Sequence, residues 1–340
     1  MTLIDRNFLC RPTPGSARFV ALAGPLLALL MLALLPHPAQ AQGLYPTRPV
    51  RIVLPFAAGS VSDVAARLIA AKLGDRMKGQ FDIDNRPGAD GIAAARAVLA
   101  APRDGYTLTL LSDDTAIEVS RFKKLPYDPV KDFAPVSSLG YFDFIFAAAA
   151  QSPYKTLANF IDAAKQKPGA LTVGTLAIGS APNLTAELLK TAAGINVLII
   201  PYPGMPELQT ALLQDDLALI VTRYSRLKPA LAAGKIRALA ASAPLRSKTG
   251  PDIPTLRESG IEANVESWYG LFAPAGAPPG VIAALQAALQ AILAEPELKA
   301  QLLNLGIDAK ASTPDQMAAR LKSDIEKWRN VIEKAGLERR

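Results

Sequence analysis

The sequence predicts an α/β fold, and three observations carry the prediction. Short β-like runs alternate with helical patterns almost to the end of the chain, as in sheets covered by helices on both faces. Several runs are continuously apolar rather than alternating, which suits central strands buried on both sides. The Pro and Gly clusters at NRPGADG, SAPLRSKTGPDIP and APAGAPPG mark turns, none long enough to be a tether. Two α/β lobes joined by crossing strands fit this pattern.

The elements follow in order. VRIVLPF (50–56) is a strand, and Ser62 and Asp63 open a helix over 62–77. QFDID (80–84) is a strand, 90–100 a helix, and YTLTLLS (106–112) and FDFIFAAA (142–149) are strands. A helix over 156–166 leads to the strand LTVGTL (171–176), then a helix over 182–193 to NVLIIPY (196–202). Helices at 206–214 and 227–233 flank LALIVT (217–222), and IRALAAS (236–242) and SWYGLFAP (267–274) are the last strands. Beyond APAGAPPG the pattern is purely helical, over 279–294, 296–304 and 314–335. In the last, Met317, Leu321, Ile325, Trp328 and Ile332 form one apolar stripe opposite Lys322, Asp324, Glu326, Lys327 and Arg329. Thr313 caps that helix, Pro314 occupies its first turn, and Trp328 is expected as a packing anchor.

Residues 1–41 are set apart from this fold. Arg6, Arg11 and Arg18 precede a 17-residue apolar run, followed by Ala39-Gln40-Ala41, which reads as a cleaved secretory signal rather than a membrane anchor. Cleavage takes three arginines and one aspartate from a chain of net charge +7, leaving +5 over 299 residues. It also takes Cys10 and His37, the only cysteine and histidine. The mature chain then has no Ser-His-Asp triad, cysteine nucleophile, usual zinc site or disulfide, and no cofactor or metal is expected. Its basic excess is scattered, without a Lys/Arg run or aromatic interleaving, so nucleic acid is not an expected partner.

The stretch PFAAGSVSD (55–63) offers a site. A strand entering a glycine turn and then a helix leaves backbone N–H groups unpaired at the positive end of the helix macrodipole, where an anion accepts from them. Gly59 allows close approach, and Ser60 and Ser62 add hydroxyls; alternatively Ser62 or Asp63 merely caps the helix. TLAIGSAPNLTAE (175–187) repeats the design with Gly179, Ser180 and Asn183, and IPYPGMPE (200–207) with Tyr202 and Gly204. Anion-friendly helix starts in separate halves of the chain suggest a ligand held between lobes.

The residues that carry a resemblance run through nearly the whole mature chain: YPTRPVRIVLPFAAGSVSDVAARLIAAKL, NRPGADG, APRDGYTLTL, KKLPYDPVKDFAPVS, IPYPG, AAGKIRALA, DIPTL and WYGLFAPAGAPP, in that order. Together they resemble the Bug family of extracytoplasmic solute-binding proteins that serve tripartite tricarboxylate transporters. The resemblance implies a two-lobed periplasmic binding fold of type II, each lobe a mixed sheet flanked by helices. Lobe 1 would comprise 42–144 and 263–340, and lobe 2 would comprise 145–262. It implies a monomer that is not an enzyme and that closes over a small carboxylate-bearing solute. The turn matching Phe56, Ala57, Ala58, Gly59, Ser60, Ser62 and Asp63 would grip a carboxylate through backbone amides and water. The turns matching Thr175, Ala177, Gly179, Ser180 and Asn183, and Tyr202, Pro203 and Gly204, would close from the other lobe.

The sequence departs from the family pattern where specificity resides. Ala57-Ala58-Gly59-Ser60 stands for the usual Pro-Pro-Gly-Gly, Pro203 for a lysine and Asn183 for a histidine. Asp113, Asp114 and Thr115 follow Ser112 where small Gly/Ser/Thr residues are usual, and Thr222-Arg223-Tyr224 stands where an acidic residue is common. Arg223 would grip a second carboxylate if it faces the cleft. Asp113 and Asp114 would repel that anion unless they point away, pair with Arg223 or meet a cationic group on the ligand. Three functions compete: capture of an organic acid or amino acid for a membrane permease, presentation of the closed form to a sensor ectodomain, and a secreted hydrolase using Ser60 or Ser180 with a lysine.

Overall fold

The structure, a computed structural model, describes residues 45–340; the leader expected at 1–41, with Cys10 and His37, lies outside them. The first βα units run β1 (Val50–Leu54), α1 (Val61–Met77), β2 (Phe81–Asn85), α2 (Ile92–Leu99), β3 (Thr107–Ser112) and α3 (Asp113–Arg121). β4 (Phe133–Phe142) and β5 (Phe144–Ala149) follow, then α4 (Leu157–Gln166), β6 (Thr172–Thr175), α5 (Ala181–Ala193), β7 (Leu198–Pro201), α6 (Met205–Leu213), β8 (Leu219–Arg223), α7 (Tyr224–Ala232) and β9 (Ile236–Ala241). The chain ends with β10 (Ser267–Pro274), α8 (Pro279–Ile292), α9 (Pro296–Asn304), β11 (Asp308–Ala309) and α10 (Pro314–Lys334).

These strands form two sheets, ordered β11-β4-β10-β3-β1-β2 and β7-β6-β8-β5-β9. Their logic is the same. In the first, β1 lies parallel between β2 and β3, with antiparallel β10 next and β4 beyond it. In the second, β6 lies parallel between β7 and β8, with antiparallel β5 next and β9 beyond it. Every residue of β3, β5 and β10 is buried, as their continuous apolar character requires of central strands.

The chain passes between the sheets at Asp143, which separates β4 from β5, and returns through residues 242–266. Ser242 stitches the two passages together. Its hydroxyl donates to the Val265 carbonyl at 2.6 Å and accepts from the Phe144 N–H at 2.9 Å, while its own N–H donates to the Phe144 carbonyl at 2.8 Å. Asp143 beside it is buried, which pushes its carboxyl up to about 6.

α10 packs along β4 and α3 and reaches α5, so one helix touches elements flanking both sheets. Thr313 and Gln316 cap it reciprocally, and Met317, Leu321, Ile325, Trp328 and Ile332 are buried as their spacing predicts. Asp324 differs from its expected solvent-facing place: it is 3 % exposed and accepts from Trp268 Nε1 at 2.7 Å, Arg320 Nε at 2.8 Å and Lys327 Nζ at 2.8 Å. Burial alone would raise its pKa, but the two cations outweigh that and hold it below the usual carboxylate range.

Three elements had no sequence expectation over most of their length: the two-residue β11, β4 and α3. β4 reads FAPVSSLGYF, whose Pro, Gly and serines hide a ten-residue strand. α3 opens with Asp-Asp-Thr, which reads as a loop until Ser112 is seen in cap position with its N–H donating to Thr115 Oγ1. Among the described residues no single helix is long and apolar enough to cross a membrane.

Candidate functional site

The turns that leave β1 and β6 are conformational duplicates. In the first, Gly59 has φ +77° and Ser60 has φ −69°, ψ 159°; in the second, Gly179 has φ +70° and Ser180 has φ −70°, ψ 160°. In each, the serine N–H donates back across the turn, Ser60 to Ala57 at 3.2 Å and Ser180 to Ala177 at 3.0 Å. In each, the glycine N–H donates to a side chain four residues on, Gly59 to Asp63 Oδ2 and Gly179 to Asn183 Oδ1, both at 2.8 Å. The sequence shows the reason as A-x-G-S-x-x-D and A-x-G-S-x-x-N: a glycine that tolerates positive φ, a serine at the helix cap, and a short side chain that reaches back to the glycine.

Asp63 and Asn183 therefore brace their turns. Asp63 also accepts from Arg67 Nε at 3.1 Å and Asn85 Nδ2 at 2.9 Å, and Asn85 holds the Phe56 carbonyl at 3.0 Å. Burial would raise the Asp63 pKa, but the hydrogen bonds from Arg67, Gly59 and Asn85 prevail and lower it. Asn183 Nδ2 donates to Thr175 Oγ1 at 3.0 Å, and Thr175 in turn takes the Tyr202 N–H on its carbonyl at 2.8 Å. Because these bonds consume the N–H groups of Gly59, Ser60, Gly179 and Ser180, the groups left without a protein acceptor among the described residues include those of Val61 and Ala181, the first helical residues of α1 and α5.

One difference breaks the duplication. Ser60 Oγ accepts from the Asp63 N–H at 3.3 Å, whereas Ser180 Oγ is buried with no hydrogen-bond partner.

A cavity of about 420 Å³ lies beyond the carboxyl ends of β1, β3 and β6. Phe56 and the Gly88–Gly91 loop form one side, the Ser112, Asp114, Thr115, Glu118 and Arg121 face of α3 a second, and Ala177–Ser180 from the other sheet a third, with Arg340 at the edge. Carboxyl ends of strands are where open α/β sheets place ligands. Six residues expected from the sequence line this wall: Phe56, Asp114, Thr115, Ala177, Gly179 and Ser180. Asp63, Thr175 and Asn183 stand behind it as braces, and Ala57, Ala58 and Gly59 are exposed on the first turn with Ser60 at its end. Tyr202, Pro203 and Gly204 do not line it; Gly204 caps α6, and Pro203 is exposed.

Asp113 and Arg223 are also turned elsewhere. Asp113 is 1 % exposed and accepts from Ser267 Oγ at 2.5 Å, and its other carboxylate oxygen has no partner. Burial, then Asp114, raises its pKa. Arg223 stacks on the Phe142 ring at 3.8 Å and donates to Tyr269 Oη at 2.5 Å, which meets Ser62 Oγ at 2.6 Å. Arg223 ends a strand of one sheet while Phe142 and Tyr269 belong to the other, so this chain of contacts ties β8 to β10 and to the first turn of α1. Burial alone would lower the pKa of this half-buried guanidinium, but Tyr269 first, and then Asp113 and Asp114, outweigh it and raise it.

Sequence reasoning passed over Asp90, Glu118, Arg121 and Arg340. Reading 113–121 as a helix would have found two of them, since Asp114, Glu118 and Arg121 recur at spacings of four and three on one face. Burial pushes Glu118 up to about 9, with Asp114 and Asp90 adding to the effect, and burial raises Asp114 as well. Asp90 is paired with Arg340 at 3.0 Å. Arg121 packs its guanidinium against the Cα of Gly179, where any β-carbon would collide with it.

Comparison with known proteins agrees with this architecture. The model of the tripartite tricarboxylate transporter family receptor matches residues 65–337. A protein of the TAR-I ttuE-ttuC' intergenic region of Agrobacterium vitis is 30 % identical over 340 residues, covering 99 % of this chain and 96 % of its own. BugT of Bordetella pertussis is 29 % identical, covering 86 % of this chain and 90 % of its own. Among solved structures, R. palustris Rpa4515 with adipate is 31 % identical with a TM-score of 0.74, covering 87 % of this chain and 100 % of its own. MatC of Rhodopseudomonas palustris, with bound malate, is 32 % identical with a TM-score of 0.68, covering 85 % and 100 %. The periplasmic binding protein BugD is 29 % identical with a TM-score of 0.70, covering 87 % and 100 %.

Proposed function

We propose, from the premise that this chain belongs to the tripartite tricarboxylate transporter receptor family, that it is a periplasmic protein capturing a small carboxylate for a membrane permease. Proteins of this family bind solutes and are not enzymes, which sets aside a hydrolase built on Ser60 or Ser180. The observation that carries the reading is the cavity at the carboxyl ends of β1, β3 and β6, walled from both sheets. The adipate and malate held by Rpa4515 and MatC support a carboxylate as its occupant.

We assign the grip to the first turns of α1 and α5, whose unpaired N–H groups sit at positive helix ends. The lobes are 42–144 with 263–340, and 145–262, with Asp143 and residues 242–266 as the passages that flex. Closure supplies affinity because groups from both lobes meet the solute only when shut. Thermal unfolding with malate, adipate and related acids tests this: a solute at about 100 times its Kd stabilises by roughly 2.7 kcal/mol. No shift with any carboxylate would refute it. Co-purification with a permease, rather than with a sensor ectodomain, decides between transport and sensing. Sequencing of the exported protein is expected to begin at Gln42.

A further inference from the structure

We propose that the solute carries an ammonium group as well as a carboxylate, the ammonium meeting Asp114 and Glu118 and the carboxylate meeting Arg121 and the Ser180 end of α5. This rests on the cavity being the solute site. Its wall is charged in a way that a simple polycarboxylate does not match. Asp114 and Glu118 are four residues apart on the face of α3 that lines the cavity, and among the described residues neither has a basic side chain within ion-pair distance. Like charges at this spacing repel when both are ionised. The wall's third carboxylate, Asp90, is already neutralised by Arg340. Arg121, one helical turn beyond Glu118, is directed at Gly179 instead and makes no ion pair among the described residues.

The wall thus presents two unpaired carboxyls beside one unpaired guanidinium. An independent observation fixes where the solute's own carboxylate lies. The two turns match in backbone and in their glycine braces, yet Ser60 Oγ is satisfied within its turn while Ser180 Oγ is buried, unpartnered and part of the cavity wall. A hydroxyl donor beside the first N–H groups of a 13-residue helix suits an oxyanion. Burial pushes Glu118 up to about 9 and raises Asp114, and Asp90, Asp114, Arg121, Arg340 and Tyr127 are the titratable neighbours of Glu118. An incoming ammonium favours the ionised forms, so its binding displaces the proton from Glu118.

Calorimetry with matched pairs, one member with and one without an amine, tests the inference: succinate against aspartate, glutarate against glutamate, adipate against 2-aminoadipate. The expected result is at least tenfold tighter binding of the amine in the best pair, with proton release seen as a dependence of the heat on buffer. Glu118→Gln and Asp114→Asn should each cut that preference about tenfold. If Asp114→Asn does not fold, Glu118→Gln alone decides. Tighter binding of the amine-free acid, or a preference unchanged in Glu118→Gln, overturns the inference and leaves carboxylate capture standing. No binding by either member of any pair overturns both.

Discussion

Gly59 and Gly179 occupy nearly the same left-handed conformation, but their surroundings differ, and substitution should separate the two effects. A β-carbon on Gly59 would meet nothing within 4 Å, so Gly59→Ala pays only for φ +77°, about 1–2 kcal/mol. The same change at Gly179 adds a collision with the Arg121 guanidinium and should cost more stability, and more affinity, because Arg121 lines the cavity. Urea unfolding and calorimetry on both variants check the order; equal losses would mean that Arg121 gives way freely. Glu118 makes a second prediction at this scale. Its pKa is raised from 4.5 in the unfolded chain to about 9, so the native state keeps a proton that the unfolded state releases. The native state is therefore favoured at low pH, and this contribution is lost as pH rises through that interval. Glu118→Gln should flatten the fall in urea midpoint between about pH 5 and pH 9 and be the more stable form at the upper end. An unchanged slope would show that Glu118 ionises freely in the fold.

At the scale of elements, the βα turns were legible because their chemistry is local. A glycine, a cap serine and an Asp or Asn four residues later specify the same loop twice, and the alternation of apolar strands with helices needs no tertiary information. What those braces do was less legible: Asp63 and Asn183 look like ligand contacts in the sequence, and only their bonds to Gly59 and Gly179 show them spent on the turn. α3 was hidden for a related reason. Asp113 and Asp114 suit a loop equally well, and what makes Asp113 tolerable inside is Ser267, 154 residues away. Asp324 likewise reads as a surface residue until Trp268 reaches it from β10. Replacing it should show the difference between a solvated charge and a buried partner: Asp324→Ala leaves the Trp268 N–H and part of the Arg320 charge unpaired, a loss of about 3–5 kcal/mol if the pair behaves as buried pairs do. Thermal unfolding checks this, and a loss under about 1 kcal/mol would place Asp324 with ordinary surface carboxylates.

For the whole molecule, the passage between sheets decides whether the cavity walls move as two bodies. Two crossing segments lie side by side at Phe144 and Val265, and the buried Ser242 hydroxyl bonds both at once, as donor to one and acceptor from the other. Backbone groups here have no water to turn to, so these hydrogen bonds hold the two passages in a fixed register. Ser242→Ala removes the acceptor for the Phe144 N–H and the donor for the Val265 carbonyl without adding bulk. Each group left buried and unpaired costs about 1–3 kcal/mol, so the variant should lose on the order of 2–6 kcal/mol. Arg223→Gln offers the complementary test, because Arg223 joins β8 to Tyr269 across the sheets while standing outside the cavity wall. It should widen the solute-free protein in small-angle scattering and weaken every solute by a similar factor, since it alters closure rather than recognition. If Arg223→Gln instead weakens dicarboxylates far more than monocarboxylates, Arg223 leaves Tyr269 on closure and grips the solute directly.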